Sequence, residues 1–211
     1  MDIYQTEDEQ VEALKKWWQD NGKSAIFGVI LGLMAIFGWR EWKDYQLERA
    51  VSASHLYQQM LTASRENTTD TLSEKANEIT ASYKNTVYAV FAKLALAKLA
   101  VADGDLDAAA SNLQWALDNN SQSSLEHVIT FRLARVLIAQ NKLGEARILL
   151  SSNTQRGEFD LNYQELEADI LREEGNVDAA REAYQKAFDT AKASDKNTAI
   201  LELKLDDLGR N

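Results

Sequence analysis

Residues 94–117 read LALAKLAVADGDLDAAASNLQWAL. Apolar positions recur at three- and four-residue intervals on both sides of Asp103-Gly104-Asp105, so the stretch is two amphipathic helices joined by a tight turn. Two later stretches align with it, FRLARVLIAQNKLGEARILLSSN at 131–153 and ELEADILREEGNVDAAREAYQKAF at 165–188. Their turns are Gln140-Asn141-Lys142 and Glu174-Gly175-Asn176. Gly104 to Asn141 is 37 positions and Asn141 to Gly175 is 34. A period of this size marks a stack of helical hairpins, each burying its apolar face on the next.

The pattern resembles the tetratricopeptide repeat, whose period is about 34 residues. Small residues stand where the two helices of a hairpin cross: Ala97 and Ala109, Ala134 and Ala146, Ala168 and Ala180. Ala116 and Ala187 hold a later small position, where the second window departs with Asn153. Larger apolar residues follow at Leu106, Leu143 and Val177, then at Leu113, Leu150 and Tyr184. Three windows in one register predict an all-α chain built around a tetratricopeptide-like α-solenoid. The 211 residues include no proline and nine glycines, which agrees with helices joined by short turns. Such repeats commonly close with a proline, but the corresponding positions are Ser121, Glu158 and Lys192. Residues such as Asn119-Asn120 must therefore stop the helices.

The flanks are less regular. His55 to Tyr83 reads as a further helix pair turning at Asn67 to Asp70, without the alanine spacing. Near the C-terminus, Leu201, Leu205 and Leu208 share one helical face, which suits a helix capping the open end of the stack.

Four of the five tryptophans, Trp17, Trp18, Trp39 and Trp42, cluster near the N-terminus. Between them, residues 24–39 (SAIFGVILGLMAIFGW) carry no charge. Trp18 to Trp39 spans about 31 Å at ~1.5 Å per residue, close to the ~30 Å hydrocarbon core of a bilayer. Aromatic residues at both ends, with Lys23 and Arg40 beyond the apolar run, fit an anchor lying in the lipid bilayer. No basic leader or small-residue cleavage site accompanies it, so the segment reads as uncleaved. Lys15, Lys16 and Lys23 precede the span while Arg40, Lys43 and Arg49 follow it, and this balance leaves the orientation open. Thr6 and Glu9 match a capping box, so the segment reads either as a short interfacial helix ending at Asn21-Gly22 or as a frayed acidic tail. Ser24, Gly28 and Gly32 form a small-residue face suited to contact with another transmembrane helix. The expected organisation is an N-terminal segment at 1–23, the anchor at 24–42, a stalk and irregular helix pair at 43–85, and repeats with a capping helix at 86–211.

Composition excludes several functions. A net charge of −10 without a basic patch argues against nucleic acid, and zero cysteine excludes disulfides and thiolate chemistry. His55 and His127 form no motif, and Glu173-Glu174 and Asp206-Asp207 are sequence neighbours that diverge around a helix. No catalytic, metal or cofactor signature is present, so the chain reads as a binding protein and not an enzyme. Repeat geometry puts a candidate peptide or partner groove on the first helix of each hairpin. Phe91, Leu94, Lys98, Phe131, Arg135 and Ile138 give it an apolar and basic start, and Glu165, Asp169 and Arg172 an acidic end. The alternative is that several of these residues are core or are covered by the chain's own terminal helix.

Asn21-Gly22-Lys23, the GVILG stretch at 28–32 and the GWREW stretch at 38–42 resemble the anchor of the YfgM-type family of ancillary subunits of the bacterial Sec translocon. The acidic lead into VEALKKWW, the repeat at 94–117 and the terminal KLDDL also resemble that family. The resemblance implies a single-pass protein of the bacterial cell inner membrane with its N-terminus cytoplasmic and its repeat domain periplasmic. It implies association with the SecYEG channel and with a PpiD-type membrane-anchored periplasmic chaperone, in aid of emerging secretory or outer-membrane proteins. Two other readings stand beside it. One is a self-associating assembly protein without client handling, and the other is an enzyme or enzyme regulator with a cytoplasmic domain.

Overall fold

The computed structural model describes residues 7–209. Among them every regular element is helical: α1 Glu7–Arg65, α2 Thr69–Ser82, α3 Val87–Ala102, α4 Leu106–Asp118, α5 Ser123–Ala139, α6 Leu143–Ser152, a 3₁₀ turn at Gly157–Phe159, α7 Asp160–Glu173, α8 Val177–Ala193 and α9 Ala199–Gly209. The chain divides into two compact units between Val51 and Ser52.

In the first unit, α1 runs without a break through Asn21-Gly22, where the sequence suggested an end. The Asn21 side-chain amide donates to the Trp17 carbonyl at 3.2 Å, and Gly22 packs under the Trp18 indole. Asparagine and glycine each weaken a helix by about 1 kcal/mol or less, and neither deletes a backbone donor as proline does. The capping box at Thr6 lies outside the described residues. Further along, Ile26, Phe27, Ile36 and Phe37 are all at least half exposed. α1 is the one helix among the described residues long and apolar enough to cross a membrane. So continuous an apolar surface is unstable in water and stable in lipid. Trp17 and Trp18 lie together at one end of it, ring centroids 6.4 Å apart, and Trp39 and Trp42 at the other, 5.3 Å apart.

In the second unit the three turns anticipated from sequence share one geometry. Gly104 (φ 78°), Asn141 (φ 60°) and Gly175 (φ 78°) adopt the left-handed conformation. The next residue's amide reaches back five positions in each: Asp105 to Ala100 at 2.8 Å, Lys142 to Leu137 at 2.8 Å, Asn176 to Leu171 at 3.0 Å. These are Schellman ends, which satisfy carbonyls the helix leaves open. Asp105 and Asn176 then cap the following helix, accepting from the Ala108 and Ala179 amides.

One more hairpin precedes them, the first of the four in chain order. Asn67 (φ 55°) is left-handed, and the Thr68 amide donates to the Ala63 carbonyl at 2.9 Å. The end of α1 and α2 therefore close as the repeats do, 37 positions before Gly104. The alanine pattern hid this because large and small residues exchange places. Met60 and Leu72 occupy the positions of Ala97 and Ala109, while Ala76 sits where the others have Leu113, Leu150 and Tyr184. Leu72 and Ala76 exchange volume between two positions of α2 while Met60 adds a side chain from α1, a different filling of the crossing that a close-packed interior tolerates.

The hairpins share buried faces in sequence. Met60, Leu72 and Ile79 of the first hairpin pack with Ala89 and Ala92 of α3, and Trp115 of α4 lies against them. A larger core joins α3 through α7 around Leu113, Ile129, Leu150 and Leu166. Ala168, Ala180, Tyr184 and Ala187 bury against Leu201 and Leu208 of α9, the expected capping helix. α6 spans only ten residues, and Asn153 is already extended. Arg156 compensates: its guanidinium donates to the Leu150 carbonyl at 3.2 Å and to Glu167 at 2.8 Å, and lies over the Tyr163 ring.

Candidate interaction groove

Three of the anticipated groove residues come together. Leu94 and Lys98 of α3 and Arg135 of α5 line a groove of about 480 Å³, with Arg132 beside them and Val101, Leu113 and Val136 completing its apolar walls. Lys98, Arg132 and Arg135 are exposed. Arg132 falls outside the repeat-derived groove positions, and its place one helical turn before Arg135 was the signal for it.

The remaining apolar candidates lie elsewhere. Phe91 is half-buried against Tyr57, ring centroids 5.6 Å apart. Phe131 is 6% exposed and sits edge-on to Tyr163 at 4.8 Å, so it supports the core below the groove. Ile138 is half-buried against the same core.

At the acidic end, Asp169 and Glu165 are engaged by the chain itself. The Lys204 ammonium of α9 donates to Asp169 at 2.6 Å and to Glu165 at 2.7 Å. The Tyr184 hydroxyl also donates to Asp169, at 2.5 Å. Burial first, then the Asp169 carboxylate, raises the Tyr184 phenol far above its ordinary value. Arg172 turns to Glu173 at 2.7 Å.

Both histidines are placed. His55 is exposed, whereas His127 is buried, stacks on Phe159 at 4.4 Å and pairs through Nδ1 with the Tyr163 hydroxyl at 2.8 Å. Burial also raises the Tyr163 phenol. This aromatic cluster fastens the 3₁₀ turn to α5 and α7, a role the sequence did not announce. In the anchor, Ser24 and the glycines Gly28 and Gly32 are exposed, and a Cβ added at either glycine meets nothing within 4 Å.

Comparison with known proteins finds relatives along most of the chain. The profile of the tetratricopeptide repeat-like domain family matches residues 15–210. The chain is 39% identical over 186 residues to the "Ancillary SecYEG translocon subunit" of Escherichia coli (strain K12), covering 88% of each chain. It is 33% identical to the protein of that name from Haemophilus influenzae, covering 93% of this chain and 96% of the relative. A third, from Aggregatibacter actinomycetemcomitans, is 28% identical over 96% of this chain and 97% of its own. No solved structure matches the chain. With its anchor, its repeat turns and its relatives in agreement along most of its length, the chain belongs to the tetratricopeptide repeat-like family of ancillary SecYEG translocon subunits.

Proposed function

We propose that the chain is a single-pass, non-catalytic accessory of the SecYEG translocon in the bacterial inner membrane. The observation that carries this reading is the pairing of one lipid-suited helix with a repeat domain, in a chain 39% identical to a protein named for that channel. The anchor would hold the repeats beside the channel, where tethering raises their effective concentration for emerging chains. With the N-terminus cytoplasmic, the repeats occupy the periplasm, contact a PpiD-type anchored chaperone, and help newly translocated proteins reach it. Ser24, Gly28 and Gly32 are the proposed face toward another transmembrane helix. The groove around Leu94, Lys98 and Arg135 is the proposed face toward protein segments.

Purification at native expression in a mild detergent tests this reading. SecYEG and a second single-span protein should co-isolate with the chain, and recovery of neither would remove it. A C-terminal alkaline phosphatase fusion tests orientation: strong activity is expected, and an inactive fusion would place the repeats in the cytoplasm.

A further inference from the structure

The residue six positions before each left-handed turn occupies one register position in the last three hairpins: Lys98, Arg135 and Asp169. In the last of these, the chain shows how the position is used. α9 brings Lys204 onto Asp169, with Leu201 and Leu208 buried against the same hairpin and Leu205 packed beside them. A helix whose charged residue is flanked by leucines thus docks onto a side chain of opposite sign.

Between α3 and α5 the same position has the other charge, and no helix docks there among the described residues. α5 packs directly along α7, while its approach to α3 is much looser and leaves the 480 Å³ groove. Lys98 stands on one wall and Arg132 and Arg135 on the other. The walls therefore repel each other in a chain whose net charge is −10. Three exposed cations above an apolar floor call for a ligand carrying both carboxylates and large apolar side chains. A free anion would leave the floor wet, and a purely apolar segment would leave the cations unsatisfied.

We infer that the α3–α5 groove binds an acidic amphipathic segment of a partner protein, in which an Asp or Glu flanked by leucine-like residues at helical spacing meets Lys98, Arg132 and Arg135. The segment is the charge-reversed counterpart of α9. The inference deepens the proposed function, resting on the reading that the repeat domain works through protein contacts, and it supplies the chemistry of the contact.

The test uses the full chain in lipid nanodiscs and three fluorescein-labelled peptides. One has the sequence of residues 199–209 carrying Lys204→Glu, one is the unchanged sequence, and one is a scramble of the first with equal charge. Anisotropy should show the Lys204→Glu peptide binding at least tenfold more tightly than either other peptide, and more weakly as salt is added. The double variant Lys98→Glu/Arg135→Glu alters two exposed side chains and should retain its helical circular dichroism. It should lose the Lys204→Glu peptide by tenfold or more and gain the unchanged one. Equal binding of the scramble, absence of binding by the Lys204→Glu peptide, or indifference to the double variant would each overturn the inference. Binding of the peptide by a chain that fails to co-isolate SecYEG would leave the groove assignment standing and remove the translocon reading.

Discussion

The first and fourth hairpins turn in the same way and cross in different ways. Asn67 and Gly175 both take the left-handed conformation, and the amide after each reaches back five residues. Yet Met60 and Leu72 fill the first crossing, where Ala168 and Ala180 fill the fourth. The turn is a local matter of φ and two or three hydrogen bonds, so few residue types satisfy it. The crossing is a volume shared between two helices, and many divisions of that volume pack equally well. Turn chemistry therefore persists where seam composition drifts.

The largest expected effect tests whether Leu72 fills a real seam. Leu72→Ala should destabilise the second unit by about 3 kcal/mol, through lost burial and the cavity left behind. Urea unfolding followed by the fluorescence of Trp115, which packs on this cluster, reads it; a loss below about 1 kcal/mol would mean the first crossing is loose. Ala180→Leu overfills the fourth crossing and should cost about 2 kcal/mol. In the first hairpin, Leu72→Ala combined with Ala76→Leu restores on α2 the order of small and large residues seen in the other repeats, with Met60 left in place. That pair should be less destabilising than its two parts summed, by about 1 kcal/mol or more in the same urea series. Strict additivity would show that the exchange of large and small residues is coincidental.

The next effect separates the hairpins by pH. Tyr184 of the fourth hairpin has a phenol raised by burial and by Asp169, whereas the first hairpin has Ala76 there. Unfolded tyrosine ionises near pH ~10 while the folded phenol keeps its proton. Its stabilisation is complete below that pH and is lost as pH rises above it, at up to about 1.4 kcal/mol per unit. Tyr184→Phe should flatten the alkaline limb of thermal unfolding between about pH 10 and 11; an unchanged limb would assign the alkaline loss elsewhere. The smallest effect concerns the turns. Gly175→Ala should cost about 1 kcal/mol, because a Cβ disfavours positive φ. Asn67→Gly should be neutral or stabilising by less than about 1 kcal/mol. Chemical denaturation of the two variants side by side decides whether both hairpins impose the same backbone demand.

What the sequence made legible follows the same division. Asp103-Gly104-Asp105, Gln140-Asn141-Lys142 and Glu174-Gly175-Asn176 announced their turns because residues able to adopt positive φ are few. Ala97/Ala109 and Ala168/Ala180 announced close crossings because an alanine on each helix lets the two backbones approach. The first hairpin stayed partly hidden, since its left-handed Asn67 was visible but its seam runs large-then-small. α1 passed through Asn21-Gly22 because a helix favoured over so many turns outweighs two weak breakers. In the groove, spacing located Leu94, Lys98 and Arg135, but it could not tell that Phe131 points into the core. Nor could it tell that Glu165 and Asp169 receive Lys204 from α9. Those outcomes depend on side chains distant in sequence, and no local pattern encodes which of them arrive.

The Lys204 contact has a consequence for how the end of the array moves. A terminal element in a linear stack has one neighbour, and it ordinarily frays by degrees. Undocking α9 would separate Lys204 from Asp169 and Glu165 together and uncover Leu201 and Leu208 at the same moment. A partly released α9 would leave a buried carboxylate short of its cation, which costs more than either full state. The contacts of α9 are thus coupled through Lys204 and the two leucines, and α9 is expected to dock or release as one unit.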